Sequence, residues 1–250
     1  YGNNRVMSNW SKWLWGGMGW AMFGPIGGIM GYALGSMSEN TAQFNSQYTK
    51  NINNAKTQGG DFGSALLILF AAVMKADNKL KKSELEYVKK FFIQHFGHKF
   101  AKNRILLFQE ILKQEYPLND ICRQIKTHMD HPSRLQMIHI LFELSKADGE
   151  VHASEVEIID RISSYLGISN IDFQSIHAMF FKDTKSAYKI LEISSDASDD
   201  DVKKAFRKMA IKFHPDKVHH LGEEFQKMAE EKFKAVNDAY EEIKKSRQIN

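Results

Sequence analysis

A stretch of this chain recurs at a constant offset of 71 residues, and that duplication limits what the chain can fold into more than anything else in it. Lys75-Ala76-Asp77-Asn78-Lys79-Leu80-Lys81-Lys82-Ser83-Glu84-Leu85 returns as Lys146-Ala147-Asp148-Gly149-Glu150-Val151-His152-Ala153-Ser154-Glu155-Val156. Each copy follows an apolar stretch, Ala65–Met74 in the first and Ile138–Leu144 in the second. Each precedes a helical pattern, with Leu85, Val88, Phe91 and Phe92 on one apolar face and Val156, Ile159 and Ile162 on the other. Serine and glutamate three apart, Ser83 with Glu86 and Ser154 with Glu157, predict a capping box at the start of that helix. The unit is therefore helix, acidic turn, helix, used twice. Further helical patterns near Lys102–Tyr116, Leu118–His128 and Ile171–Phe181 make residues 62–182 an all-α domain of about seven helices.

Two copies related by a pseudo-two-fold axis would gather Asp77, Glu84, Asp148 and Glu155. Two readings stand side by side. Clustered carboxylates suit a hard divalent cation, Ca²⁺ or Mg²⁺. Alternatively, the aspartates end helices and the glutamates begin them, where negative charge is favoured by the backbone dipoles. The pattern KAD-x-x-(L/V)-x-x-x-E resembles the TerB-like domain of tellurite-resistance proteins. That resemblance implies a pseudo-symmetric helical fold with divalent metal bound by acidic residues at the two turns.

A second constraint lies near the start. Trp13–Ser38 contains no charged residue and eight glycines. As one helix it would be about 39 Å long at ~1.5 Å per residue, enough for a hydrocarbon core of ~30 Å. Trp10, Trp13 and Trp15 fit an interfacial anchor, and Gly27, Gly31 and Gly35 form a strip that permits close helix contact in lipid. Residues 13–38 are thus expected to be a membrane segment with a capacity for self-association, spanning or folded back at Pro25 as two half-helices. Flanking charge is balanced, with Arg5 and Lys12 before it and Lys50 and Lys56 after it. Residues 1–12 are a flank, and 39–61, rich in Ser, Asn, Gln and Thr, a polar linker. The sequence opens on Tyr1 rather than Met, so residues upstream are expected.

Residues 186–250 form a third unit. Tyr188–Leu191 opens a short helix, and Ser198 followed by Asp199, Asp200 and Asp201 is a helix start. Val202, Ala205, Phe206, Met209, Ala210 and Phe213 then fall on one face. Lys203, Lys204, Arg207, Lys208 and Lys212 fall on the other. Pro215 forces the helix to stop by His214, leaving Asp216 in a turn. A last helix runs from about Glu223 to Lys245, with Phe225, Met228, Ala229, Phe233, Val236, Tyr240 and Ile243 inward.

The strings YKILEI, DDDVKKAFRKMAIKFHPDK and EKFKAVNDAYEEI together resemble the J-domain of the DnaJ family. The resemblance implies a helical hairpin whose loop, His214-Pro215-Asp216, and basic helix engage a DnaK-type chaperone and stimulate its ATPase. It departs at Glu192, where many J-domains carry glycine. The order of apolar segment, TerB-like centre and J-domain resembles the DjlA family of co-chaperones. That likeness implies attachment to the bacterial inner membrane with the domains facing the cytoplasm.

Composition trims the alternatives. With 43% hydrophobic and 26% charged residues the chain is too apolar for a disordered one, and a mean hydropathy of −0.42 excludes a polytopic membrane protein. A net charge of +4 does not argue for nucleic acid, and Asp199–Asp201 and Glu230–Glu231 offset the lysines of the basic helix. The single cysteine, Cys122, excludes an internal disulfide and the paired-cysteine zinc sites of general DnaJ proteins, and points to a reducing compartment. No nucleophile with its base and no phosphate-cradling loop is evident, so the chain is expected not to be an enzyme and to require no cofactor. The alternative function is a metal-binding TerB-type stress-response scaffold with the J-domain as a subordinate effector.

Overall fold

The computed structural model describes residues 24–36, 58–76, 80–147, 149 and 151–248, and every element among them is helical. In chain order these are α1 (residues 24–36), α2 (Gln58–Met74), α3 (Lys82–Phe96), α4 (His98–Leu112), α5 (Leu118–His128), α6 (His131–Ser145), α7 (Ala153–Tyr165) and α8 (Asn170–Phe180). There follow α9 (Ser186–Ile190), α10 (Asp199–Lys212), a 3₁₀ segment (Pro215–Leu221) and α11 (Glu223–Arg247). The duplication survives into three dimensions. Helices α2 and α6 end at Met74 and Ser145, and α3 and α7 begin at Lys82 and Ala153, the same offset of 71 in both cases.

The chain divides into two compact units, Tyr1–His128 with Leu144–Ile158, and Met129–Glu143 with Ile159–Asn250. In the first, α2 is apolar on all sides: Leu66, Leu67, Ile68, Leu69 and Phe70 are fully buried. A helix without a polar face belongs at the centre of a bundle, which is why ten apolar residues there need no lipid. Phe70 packs edge-on against Phe91 of α3 at 5.4 Å, and Tyr116 Oη donates to the Ile68 carbonyl at 3.0 Å. Helix α4 begins at His98, earlier than the expected Lys102, because Gly97 adopts a left-handed φ of 79° that ends α3 and restarts the chain at once.

Of the charge-free run, residues 24–36 are described. They form α1, which buries Ile29, Met30, Ala33 and Leu34 in the first unit. Gln124 Oε1 of α5 accepts from the Ile26 N–H at 3.0 Å, and Ser36 Oγ donates to Glu110 Oε2 of α4 at 2.8 Å. Gly35 is buried, and Gly27 and Gly31 are half-buried. No helix among the described residues is long and apolar enough to cross a membrane. Residues 13–23 and 37–38 of the expected segment lie outside the described residues.

In the second unit α6 repeats the logic of α2, burying Leu135, Met137, Ile138, Ile140, Leu141 and Phe142. Phe142 meets Phe173 and Phe180 of α8 at 5.7 and 5.4 Å. Helix α9 packs on α8, where buried Ser175 Oγ donates to the Ile190 carbonyl at 2.9 Å. The C-terminal hairpin therefore grows directly out of α8.

Candidate functional site

The hairpin is built from α10, the 3₁₀ turn and α11. Ser198 caps α10 by accepting from the Asp201 N–H at 3.2 Å, with three aspartates in the first turn, as the sequence predicts. Val202, Ala205, Met209 and Phe213 are buried against α11, which contributes Phe225, Ala229, Val236, Ala239 and Ile243. Phe206 stacks on Tyr240 at 4.3 Å. At the far end, Arg247 Nε donates to Tyr188 Oη at 2.9 Å, and Nη2 donates to the Ser195 carbonyl at 2.6 Å. These bonds tie the end of α11 to α9 and to the α9–α10 loop.

The sharp stop at Pro215 presents the tripeptide at the tip. His214 Nδ1 accepts from the Asp216 N–H at 3.3 Å, and its ring meets Phe233 edge-on at 5.7 Å. Asp216 Oδ1 accepts from Gln226 Nε2 of α11 at 3.2 Å. The His214 side chain is 48% exposed and that of Asp216 74%. The turn is thus held by α11 from behind while its polar atoms face water. Gly222, which joins the turn to α11, has φ 115° and open space where a Cβ would be, so backbone conformation rather than crowding asks for glycine there.

The basic face divides into two classes. Lys203, Arg207 and Lys217 make no ion pair among the described residues, and Lys204 has only a weak partner in Asp201 at 3.8 Å. Lys212 is turned inward, 18% exposed, and pairs with both Asp172 of α8 and Glu192. Lys208, 70% exposed, reaches Glu192 Oε2 at 3.2 Å. Burial pulls the Asp172 carboxyl upward, but hydrogen bonds from His131, Lys212 and Ser169 outweigh it and hold it well below the usual carboxylate range. Glu192 occupies the left-handed region at φ 57°, where a side chain costs roughly 1 kcal/mol over glycine. Its buried carboxylate between two lysines offsets that cost.

In the first unit, Glu84 and Glu155 come together, each almost fully buried. Burial, with Glu155 alongside, pushes the Glu84 pKa up to about 7, against the lowering effect of the Lys81 N–H. Glu84 Oε2 accepts from the Lys81 N–H at 3.1 Å, and Glu155 Oε2 accepts from the His152 N–H at 2.8 Å. The helix starts therefore fall two residues earlier than Ser83 and Ser154 predict, with Glu84 and Glu155, not Glu86 and Glu157, as the capping glutamates. Asp77 and Asp148 lie outside the described residues, and among those described no group of three or more His, Cys, Asp or Glu gathers as a metal site.

Comparison with known proteins matches two successive stretches of the chain. The model for tellurite resistance protein TerB matches residues 63–178, and that for the DnaJ domain matches 186–249. Co-chaperone protein DjlA of Coxiella burnetii is 24% identical over 96% of this chain and 99% of its own length. DjlA of Haemophilus influenzae is 21% identical over 92% of this chain and 95% of its own. Chaperone protein DnaJ of Lactiplantibacillus plantarum is 54% identical over 22% of this chain and 13% of its own length. No solved structure matches the chain.

The chain is DjlA-like, with a TerB domain followed by a DnaJ domain.

Within this DjlA-like arrangement, sequence reasoning missed the residues that mount the J-domain: Asp172, Glu192, Gln226 and Arg247. Each acts across a distance in sequence, such as the 40 residues between Asp172 and Lys212, which no local pattern announces. It also missed that Lys232 is buried, with its ammonium 5.5 Å over the Phe213 ring and its pKa pulled down to about 7 by burial. Only the glycine exception at Glu192 was a usable signal.

Proposed function

We propose that this protein is a co-chaperone that engages a DnaK-type ATPase through His214, Pro215 and Asp216 and the basic face of α10, and stimulates its ATP hydrolysis. The observation that carries this reading is the tripeptide, with His214 and Asp216 exposed and braced by Gln226 and Phe233, at the end of the helix that carries Lys203, Lys204 and Arg207. The basic face steers encounter with an acidic partner surface. Asp216 then offers a charge-assisted bond to a partner cation. The chain contributes no chemical step of its own; it changes the rate at which the partner hydrolyses ATP. Steady-state ATPase turnover of a DnaK-type chaperone, with and without the full chain, tests it. Stimulation by the parent and its loss in Asp216→Asn, with the far-UV spectrum unchanged, is the expected result. An Asp216→Asn variant as active as the parent overturns the reading.

In this reading the part of the charge-free run at 13–38 that precedes α1 attaches the protein to the bacterial inner membrane with its domains in the cytoplasm. Sedimentation of the intact chain with membranes, and its release on removal of residues 1–38, is expected.

A second role rests on the Glu84–Glu155 pair. Two buried carboxyl groups side by side, one of them with its pKa raised by burial, form an oxygen donor set that suits a hard divalent cation. Asp77 and Asp148, next to the same helix starts in sequence, would complete it. Calcium at millimolar concentration should then raise the melting temperature more at pH 8 than at pH 5.

A further inference from the structure

Below the tripeptide, α10 faces the first turn of α6 across an open cleft of about 370 Å³. One wall is Lys208, Ile211 and Lys212, with Lys217 at the rim; the other is His131 and Pro132, over Leu135. We infer that this cleft seats an extended acidic segment of the DnaK-type partner that carries an apolar side chain, so that the partner's footprint reaches from the J-domain onto the TerB domain. The inference rests on the function proposed above and extends it to residues outside the J-domain.

Three features of the cleft point to that occupant. First, charge is layered. The carboxylates of Glu192 and Asp172 are only 4% and 10% exposed and are consumed from below by Lys212, while Lys208 is 70% exposed above them. His131 Nε2 lies 3.4 Å from Asp172 Oδ2, so it too serves the buried anion. At the edge of the cleft, Lys208 and Lys217 are exposed and cationic. Second, Ile211 is 64% exposed in the middle of the basic face, where periodicity would place a polar residue. With half-buried Pro132, over buried Leu135, it forms an apolar patch framed by cations, which matches an apolar side chain flanked by carboxylates. Third, Lys217 directly follows Asp216 in sequence, so the cleft is continuous with the tripeptide and one partner can occupy both. The Lys212–Asp172–His131 chain of contacts fixes the two walls against each other, which makes the cleft a preformed surface.

Pro132 is the place to test this, because it lies outside the J-domain and in the first turn of α6. A glutamate there is favoured by the helix dipole, so the fold should persist. With the full chain titrated against a DnaK-type ATPase, Pro132→Glu should raise the concentration for half-maximal stimulation roughly threefold to tenfold, and Pro132→Lys should lower it. Maximal stimulation should stay at the parental level in both, and the gap between them should close as salt is added. Ile211→Ser should raise the half-maximal concentration without a salt-dependent part. If both Pro132 variants titrate like the parent while Asp216→Asn is inactive, the cleft is outside the footprint and the inference falls with the proposed function intact. If Asp216→Asn also behaves like the parent, the proposed function itself fails and takes the inference with it. A change in the sedimentation coefficient of the unmixed chain on Pro132→Glu would instead assign the cleft to a second copy and overturn the inference.

Discussion

Among the described residues, carboxylates are buried beside α3 and α7 and again beside α10, and the two places treat them in opposite ways. At the start of α3 and α7, Glu84 meets Glu155, like against like, and burial favours the protonated form. Beside α10, Asp172 and Glu192 are buried to a similar degree but meet Lys212, and Asp172 is held ionised far below its ordinary range. The first pair stores an unmet charge that a proton or a cation can satisfy. The second spends its charges on fixing one helix against another. Burial alone does not say whether a carboxylate is a binding site or a fastener; its nearest partner does.

The largest way to break the contrast is to remove the shared cation. Lys212→Ala removes the cation that the two buried carboxylates share, leaving Glu192 with Lys208 and Asp172 with His131 and Ser169, and should cost about 3 kcal/mol, read as a fall in the urea midpoint at pH 7. If the midpoint is unmoved, the clasp is ornamental and the two regions do not differ as claimed.

A smaller effect, of opposite sign, is expected at the other pair. The folded pKa of Glu84, about 7, lies above its ordinary 4.5. Its contribution to stability is therefore fully present below pH 4.5 and is lost as pH rises through 7. Glu84→Gln keeps the size of the side chain and its acceptor for the Lys81 N–H while removing that titration. At pH 8 it should be more stable than the parent by about 1–2 kcal/mol. At pH 5 the advantage should vanish. Equal midpoints at both values would mean that burial does not raise the Glu84 carboxyl.

The smallest effect sharpens the account of Glu192. Replacing it removes the partner of Lys208 and Lys212 in every variant, but only glycine relieves the left-handed backbone. Glu192→Ala should be less stable than Glu192→Gly by about 1 kcal/mol. Identical midpoints would show that no strain is held there.

Much of the fold was legible because the signals are local. The duplicated KAD segment, the apolar runs of α2 and α6, the Ser198 cap and the stop at Pro215 all act within a few residues, and helices follow from short-range spacing. The capping glutamates were misplaced by two residues because serine is the better local capper, while the observed ends were chosen by which glutamates could reach the buried seam. The tripeptide and most of the basic face could be named from sequence. Lys212 could not be told from its neighbours, because the carboxylates that turn it inward come from Asp172 and Glu192, 40 and 20 residues away.

The sequence by itself determined that this chain is helical, that its centre is doubled and that it carries a DnaJ-type tripeptide beside a basic helix, since each of these is written in spacing and in residues close to one another. Only the tertiary structure decided that Glu84 faces Glu155 and that Lys212 faces away from solvent. It also decided that a wall of α6 stands across from Ile211. Those outcomes depend on which distant side chains share a low-dielectric space, and the interaction of two charges is set by their separation and burial, not by their distance along the chain.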